Sequence, residues 1–428
     1  MEGRTYDVVV IGGGTGGVVA AVQAGRAGAS TLLVEKNGIL GGTMTIAGVA
    51  FPGLFHAWGR QVIAGIGWDL VSRCVVECGG SLPDFSKTPP RHHHHQVKVN
   101  PAIYAALCDG AVLDAGVDLL FHTMVAGLER TPSEWRVTLC TKAGLVNVSG
   151  KVLIDCTGDA NAARLAGARV RHHPEHQPGT LVYQTSGYDV GDLDLVKINA
   201  CFEEEVRKGN LSPKDVGWDT SRADVARWLN SSGNSANHIL ATLAEDSDGK
   251  TQLEVAARRS LLRVYRFLRK QPGLENLTIS YMSPECGVRE TVTVVGERTV
   301  REEDYVAGKV WDDSVCYAFY PIDVHLNDGT GLDCRPLSEG TVPTVPLGAL
   351  RPQGTRNLLV AGRCISSDRE ANSALRVQAT CMGMGQAAGA AGAIAAMEDL
   401  EPGAVPIDQI HELLRVHGGI VPELPASQ

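Results

Sequence analysis

Residues 7–43 constrain this chain more than any other stretch. The run Asp7-Val8-Val9-Val10-Ile11 has the pattern of a buried strand and leads directly into Gly12-Gly13-Gly14-Thr15-Gly16-Gly17. An Ala-rich helical stretch comes next, from Val18 to Ala27, and a second apolar strand, Ser30 to Val34, ends at Glu35. Strand, glycine turn, helix, strand and acid lie within one βαβ unit of about 30 residues, the order a dinucleotide site demands. In this reading Gly12 makes the tight turn and Gly14 lets backbone approach a pyrophosphate. Gly17 allows the helix to pack on the strands, and Thr15 opens that helix, whose N-terminal N–H groups face the phosphates. Glu35, eighteen residues after Gly17, is placed to accept from ribose hydroxyls, and its charge disfavours the 2′-phosphate of NADP.

The segment after Glu35 and Lys36 separates two cofactors. Gly41-Gly42-Thr43-Met44 comes six residues after the acid, where a nicotinamide enzyme usually continues its sheet. A glycine pair just past the second strand offers exposed N–H groups to the far side of a longer molecule. FAD is therefore the expected cofactor.

The chain has 428 residues, enough for a large core and two domains. With 44% hydrophobic and 20% charged residues it has ordinary globular composition. A net charge of −9 argues against nucleic acid or an anionic membrane as main partner. No stretch reads as a transmembrane span or a signal peptide, and eleven scattered cysteines without a CxxC pair suggest reduced thiols. A cytoplasmic protein is expected on these grounds.

Further along, helices are expected over Trp58–Cys78 and Pro101–Gly116, a polar loop over Ser81–His95, and a short strand over Val117–Phe121. Trp135–Cys140 with Leu145–Val148 reads as a hairpin. A buried strand, Lys151–Asp155, runs into Cys156-Thr157-Gly158-Asp159 and a helix over Ala160–Ala166, with Asp159 fitting the N-cap. Residues 176–340 lack a glycine fingerprint and contain an amphipathic helix, Gln252–Lys270, whose basic face is most simply a solvated one. The last part predicts a strand over Asn357–Ala361, a loop over Gly362–Arg376 and a small-residue helix over Gln378–Met397, with Gly385, Gly389 and Gly392 there for close packing.

Together, GGGTGG with Glu35, GGTMT, LIDCTGDA (153–160), GVRETVTVVGE (287–297), YPIDVH (320–325) and AGRCISSDREANSALRVQATCMGMGQAAG (361–389) resemble the FAD-dependent oxidoreductase family of glutathione-reductase-like fold, a relative of the fumarate-reductase-type flavoproteins. The resemblance implies an α/β architecture: a Rossmann-like FAD-binding domain made of residues 1–175 and 341–428, with an α+β substrate domain, 176–340, inserted. It implies that Gly12, Gly14 and Gly17 hold the pyrophosphate and Glu35 the adenosine ribose. Gly41, Gly42 and Thr43, with Met44 beside them, would lie along the pyrophosphate and ribityl side. Val125 would meet adenine through its backbone, Thr157, Gly158 and Asp159 would close over the ADP half, and Gly362 and Arg363 would approach the ribityl chain. Arg376, before a helix start, would sit at the pyrimidine edge of the flavin. At 378–379 this chain has Gln-Ala where the family has Met-Pro.

A flavin oxidation needs a group to take the proton when hydride leaves the substrate. His325 is the first candidate, with a structural histidine as its alternative; His56 is the second. Arg289 could clamp a carboxylate bidentately, or pair with Glu290 or Glu297. The histidines His92 to His95 with His172, His173 and His176 invite a metal reading, but four consecutive side chains in a Pro-rich loop point in different directions, and no metal site is expected. The reading is an oxidoreductase moving hydride from a CH–OH, CH–NH or CH–CH group to flavin N5, reoxidised by oxygen or a carrier. A reductase of activated double bonds and a non-catalytic flavin-binding subunit stay open. The expected partners are a small, anionic substrate and an electron acceptor that the motifs do not specify, with self-association open.

Overall fold

A computed structural model describes residues 2–86, 92–218, 224–234, 237–240, 243–328 and 331–425. Its centre is a seven-stranded sheet with a parallel half and an antiparallel half. The parallel half has the order Asp118–Leu120, Thr31–Val34, Thr5–Ile11, Gly144–Asp155 and Leu358–Val360. Trp135–Thr141 and Met124–Arg130 continue it antiparallel. The parallel strands are apolar on both faces, as expected where helices cover a sheet.

One strand serves both halves. The sequence pattern predicts two pieces between Gly144 and Asp155, a hairpin arm and a separate buried strand; the structure has one continuous strand of 12 residues. Residues 144–150 pair with Trp135–Thr141, while residues 153–155 pair with Leu358–Val360 along the same edge. Ile11 and Val360 both stand in register with Asp155, so three loops from distant parts of the chain leave the sheet side by side.

Helix Thr15–Arg26 packs against helix Gln378–Met397 through glycine. A Cβ on Gly385 would overlap the Gly16 carbonyl, and one on Gly389 the Ala20 carbonyl. The small residues of both helices thus allow close approach rather than chemistry. Two hydrophobic clusters form. The larger spans the sheet, these helices and most of the segment from Val292 to Leu350. The smaller, from Leu181 to Cys286, surrounds the antiparallel sheet of Gly233–Asn234, Tyr183–Ser186 and Thr278–Met282 and includes Trp228, Leu253 and Leu277.

Several local expectations need correction. Helix Ile66–Glu77 is shorter than the expected Trp58–Cys78, because Gly65, at φ +87°, starts it and a small hairpin, His56–Ala57 with Arg60–Gln61, precedes it. The stretch from Gly362 to Arg376 holds a helix, Arg369–Leu375, whose N-cap Asp368 accepts from the Ala371 N–H at 2.9 Å. Asp159 is not an N-cap: Ala160 takes that place at φ +54° with no side-chain bond. The basic helix runs Ser247–Leu268, one turn earlier than expected, capped by Asp246; on it Arg258 pairs with Glu254 and Arg263 with Asp215. The expected loop at 81–95 falls partly outside the described residues; His92–His95 forms a 3-10 turn. Among the described residues no helix is long and apolar enough to cross a membrane.

Candidate active site

A cavity of about 1820 Å³ opens where the parallel strands end. That exceeds the roughly 300–1,000 Å³ of a pocket for one drug-sized ligand, leaving room for a dinucleotide and a second molecule. Its outer end is built mainly of backbone. Gly12, at φ +101°, passes so close to the Cys156–Thr157 peptide that a Cβ would lie 2.7 Å from the Cys156 oxygen. A Cβ on Gly17 would overlap the Gly12 carbonyl, so both glycines are required by packing. Gly14 differs: its backbone is extended and a Cβ there would meet nothing within 4 Å. It faces the cavity, with Thr15 and Gly16 beside it. The second glycine loop is fastened to the first, since the Gly41 N–H donates to the Gly13 carbonyl at 2.9 Å and a Cβ on Gly42 would lie 2.8 Å from Gly14 Cα. Gly42 and Thr43 reach the wall, whereas Met44 is fully buried in the core.

Glu35 is 7% exposed. Its Oε2 accepts from the Gly13 N–H at 2.6 Å and Oε1 from the Asn37 N–H at 2.8 Å. Burial raises its pKa, and the two N–H groups oppose that rise. Each carboxylate oxygen keeps a lone pair for a hydroxyl. Lys36 reaches away to an ion pair with Glu285 at 3.0 Å, although it still borders the cavity. Thr123, Met124 and Val125 also line the cavity. Opposite, fully buried Asp155 shapes the third loop: it accepts from the Thr157 N–H (2.9 Å), the Thr157 hydroxyl (2.7 Å) and the Ala163 N–H (2.8 Å). Asp159 pairs with Arg363 at 2.8 Å and accepts from Thr291, so distant parts of the chain are tied across the cavity. Gly362 lies at φ +108° with open space beside it. A glycine cradle open at Gly14, a ribose-ready carboxylate and three converging loop ends fit a dinucleotide of FAD length.

The inner end is built of side chains. His325 closes strand Ile322–His325 and is 7% exposed. Its Nδ1 lies 2.8 Å from Nε2 of His238, and its Nε2 lies 3.5 Å from Asp323. The Trp218 ring stacks on it at 5.7 Å. Burial, then the field of Arg289, pull the His325 pKa down to about 4, so the ring is neutral near pH 7. Arg376 donates to the Asp323 carbonyl (3.1 Å) and to Gln177 (3.2 Å), with the Asp323 carboxylate at 3.6 Å. Gln177 Oε1 also accepts from the His325 N–H at 3.0 Å, which joins these groups. Arg289 pairs with neither Glu290 nor Glu297; it donates to the Pro178 carbonyl (2.5 Å) and the Thr180 hydroxyl (3.0 Å), while Glu290 pairs with Arg369 at 3.2 Å.

His56 also reaches the wall, but through a 3-10 turn and a loop after the second glycine pair rather than a strand. Its ring stacks on Phe85 at 3.7 Å, and burial draws its pKa down to about 4. Of the histidines considered for metal, His172 and His176 both face Glu245, at 2.7 and 3.0 Å. Among the described residues no group of three or more His, Cys, Asp or Glu could hold a metal ion. Asp155, Gln177, Trp218 and His238 belong to the site without having been legible as candidates in the sequence. None sits in a recognisable motif except Asp155, the last residue before the CTGD turn, where an acid closing an apolar strand is a signal that could have found it.

The match to a family model agrees with this geometry. The family model described as FAD dependent oxidoreductase matches residues 7–414. Dihydrolipoyl dehydrogenase of Trypanosoma brucei brucei is 51% identical over 53 residues, 12% of this chain and 11% of that protein. Digeranylgeranylglycerophospholipid reductase of Methanocaldococcus jannaschii is 26% identical over 208 residues, 48% of this chain and 51% of that protein. The matches therefore span at most about half of these curated relatives. Among solved structures, p-nitrophenol 4-monooxygenase from Pseudomonas putida aligns over 97% of this chain and 87% of its own at 12% identity, with a TM-score of 0.43. The chain belongs to the FAD dependent oxidoreductase family, whose cofactor is FAD.

Proposed function

We propose that this flavoenzyme is a dehydrogenase or oxidase that removes hydride and a proton from a CH–OH, CH–NH or CH–CH group of a small molecule, with oxygen or a carrier as final acceptor. The arrangement of Asp323, His325 and His238 at the inner end of the cavity carries this reading. FAD, when bound, supplies the two-electron acceptor at its N5 position. The protein supplies the base. With Nδ1 of His325 donating its proton to Nε2 of His238, the Nε2 of His325 keeps its lone pair on a ring that borders the cavity. For an alcohol, the C–H electron pair leaves as hydride, the O–H proton passes to that Nε2, and a carbonyl is formed. The imidazolium so created lies beside the Asp323 carboxylate, which favours it electrostatically. Arg376 holds Asp323 in place and adds positive charge near the start of helix Gln378–Met397, where a reduced flavin would be stabilised.

In this reading Gly12, Gly14, Thr15, Glu35, Gly42, Thr43, Val125, Thr157, Gly158, Gly362 and Arg363 hold the cofactor, in a glutathione-reductase-like domain of residues 1–175 and 341–428. The parallel strand order around Thr5–Ile11 supports that form. Residues 176–340 then carry most of the substrate contacts. The test is anaerobic mixing of the FAD-loaded protein with alcohols, amines and activated C–H compounds. Loss of flavin absorbance with one of them is expected. If no compound bleaches the flavin, and an activated alkene instead reoxidises the reduced protein, the reaction runs the other way.

A further inference from the structure

Among the described residues, one guanidinium at the inner end lacks an ion-pair partner. Three guanidinium groups, on Arg289, Arg376 and Arg369, lie there with two buried carboxylates, Asp323 and Glu290. Two further acids lie nearby: Glu175, 73% exposed and 3.8 Å from Arg369, and Glu245, which faces His172 and His176. Glu290 is committed to Arg369 and to Gln177, and Asp323 to Arg376 and His325. Arg289 has no carboxylate partner among the described residues; both of its hydrogen bonds go to neutral oxygens, yet it lines the cavity. A half-buried guanidinium that borders a cavity and has no carboxylate partner is placed to meet an anion brought by a ligand. Burial and the neighbouring Arg376 lower the Arg289 pKa, and Asp323 and Glu290 oppose that fall without forming an ion pair with it.

We propose that Arg289 binds the carboxylate of the substrate, which is a small monocarboxylate. One guanidinium without an ion-pair partner selects a single negative charge, and its planar group suits a carboxylate's two oxygens. Calling this ligand the substrate rests on the redox reading above; the anion site itself does not. The site also connects to the base. The field of Arg289 is among the influences that depress His325, so an anion on Arg289 makes His325 a stronger proton acceptor when the ligand is in place.

The test uses the FAD-loaded protein, titrated calorimetrically and by flavin absorbance with propanoate, butanoate, lactate and benzoate, each beside its uncharged amide. At least one acid should bind ten times more tightly than its amide or better, and sulfate should compete. Arg289→Met should weaken that acid by roughly 10²-fold and leave the amide unchanged, the scale expected for a desolvated charge-assisted pair; Arg289→Lys should fall between. Acids and amides that bind alike, no binding by any acid, or unchanged acid affinity in Arg289→Met each overturn the assignment. If Arg289→Met does not fold, the acid–amide contrast and sulfate competition in the unaltered protein decide. Acid binding at Arg289 without bleaching by any compound sinks only the redox reading; bleaching by a compound with no acid preference sinks only the anion site.

Discussion

The two ends of the cavity are made by different means. The outer end, around Gly12, Gly17 and Gly42, is backbone brought close by the absence of side chains. The inner end, around His325, Asp323, Arg289 and Arg376, is side chains held by hydrogen bonds to one another and to residues 177–180. A backbone cradle tolerates almost no added atom but needs few particular functional groups. A side-chain site tolerates small changes of shape and fails when one functional group is lost. Substitutions should therefore act differently at the two ends.

The largest effect is expected at Gly17. Gly17→Val places its side chain on the Gly12 carbonyl and should abolish folding, seen as lost cooperative melting. Gly14→Val is the contrasting case. Its extended backbone accepts a side chain and nothing lies within 4 Å, so the protein should fold and yet retain no FAD. If Gly14→Val keeps FAD, the cradle is not where the pyrophosphate lies.

Next in size is His325→Ala, which should slow flavin reduction by roughly 10²–10⁴ with FAD still bound. Rapid-mixing absorbance measures it, and a wild-type rate would move the base to His56 or Asp323. Glu35→Ala should be milder. It removes the proposed acceptor for ribose and leaves the Gly13 and Asn37 N–H groups without their partner, which should weaken FAD by about 2–3 kcal/mol and leave the flavin potential unchanged. A shifted potential would mean that Glu35 acts on the redox half.

The smallest effect is thermal. His325 and His56 are depressed to about 4 and His238 to about 2, each chiefly by burial. A histidine depressed in the folded state contributes stability that is present above its unfolded value near 6.5 and lost as pH falls towards its folded value. The melting temperature should thus decline as pH falls from about 6.5 towards 4, and His238→Gln should flatten that decline. A flat profile in the unaltered protein would show these rings to be open to water.

The contrast also explains what the sequence can reveal. Glycines at fixed intervals are a local signal, so the outer end is legible, as is the packing role of Gly385 and Gly389. Glu35 is legible because strand geometry places it. The inner end depends on partners far apart in the chain. His325 is visible through its motif, but His238, 87 residues away, and Gln177 carry no local mark. Two of the misplaced helix boundaries are set by a glycine or a cap, Gly65 and Asp368, where composition alone places them elsewhere. The fused strand Gly144–Asp155 escapes a local reading because its two halves have different neighbours and so different patterns of apolar residues.

That shared strand has a consequence for how the chain reaches its native state. Its last three residues find their edge partner only when residues 358–360 arrive, and the groove on Thr15–Arg26 is filled only by helix Gln378–Met397. During synthesis the glycine turn leaves the ribosome before residues 358–397 and stays half built until they follow. Pairings of such long sequence separation close slowly. A dinucleotide that touches all three loop ends binds the completed form alone, so it should hold back the final undocking step and stabilise the protein in proportion to the logarithm of its concentration.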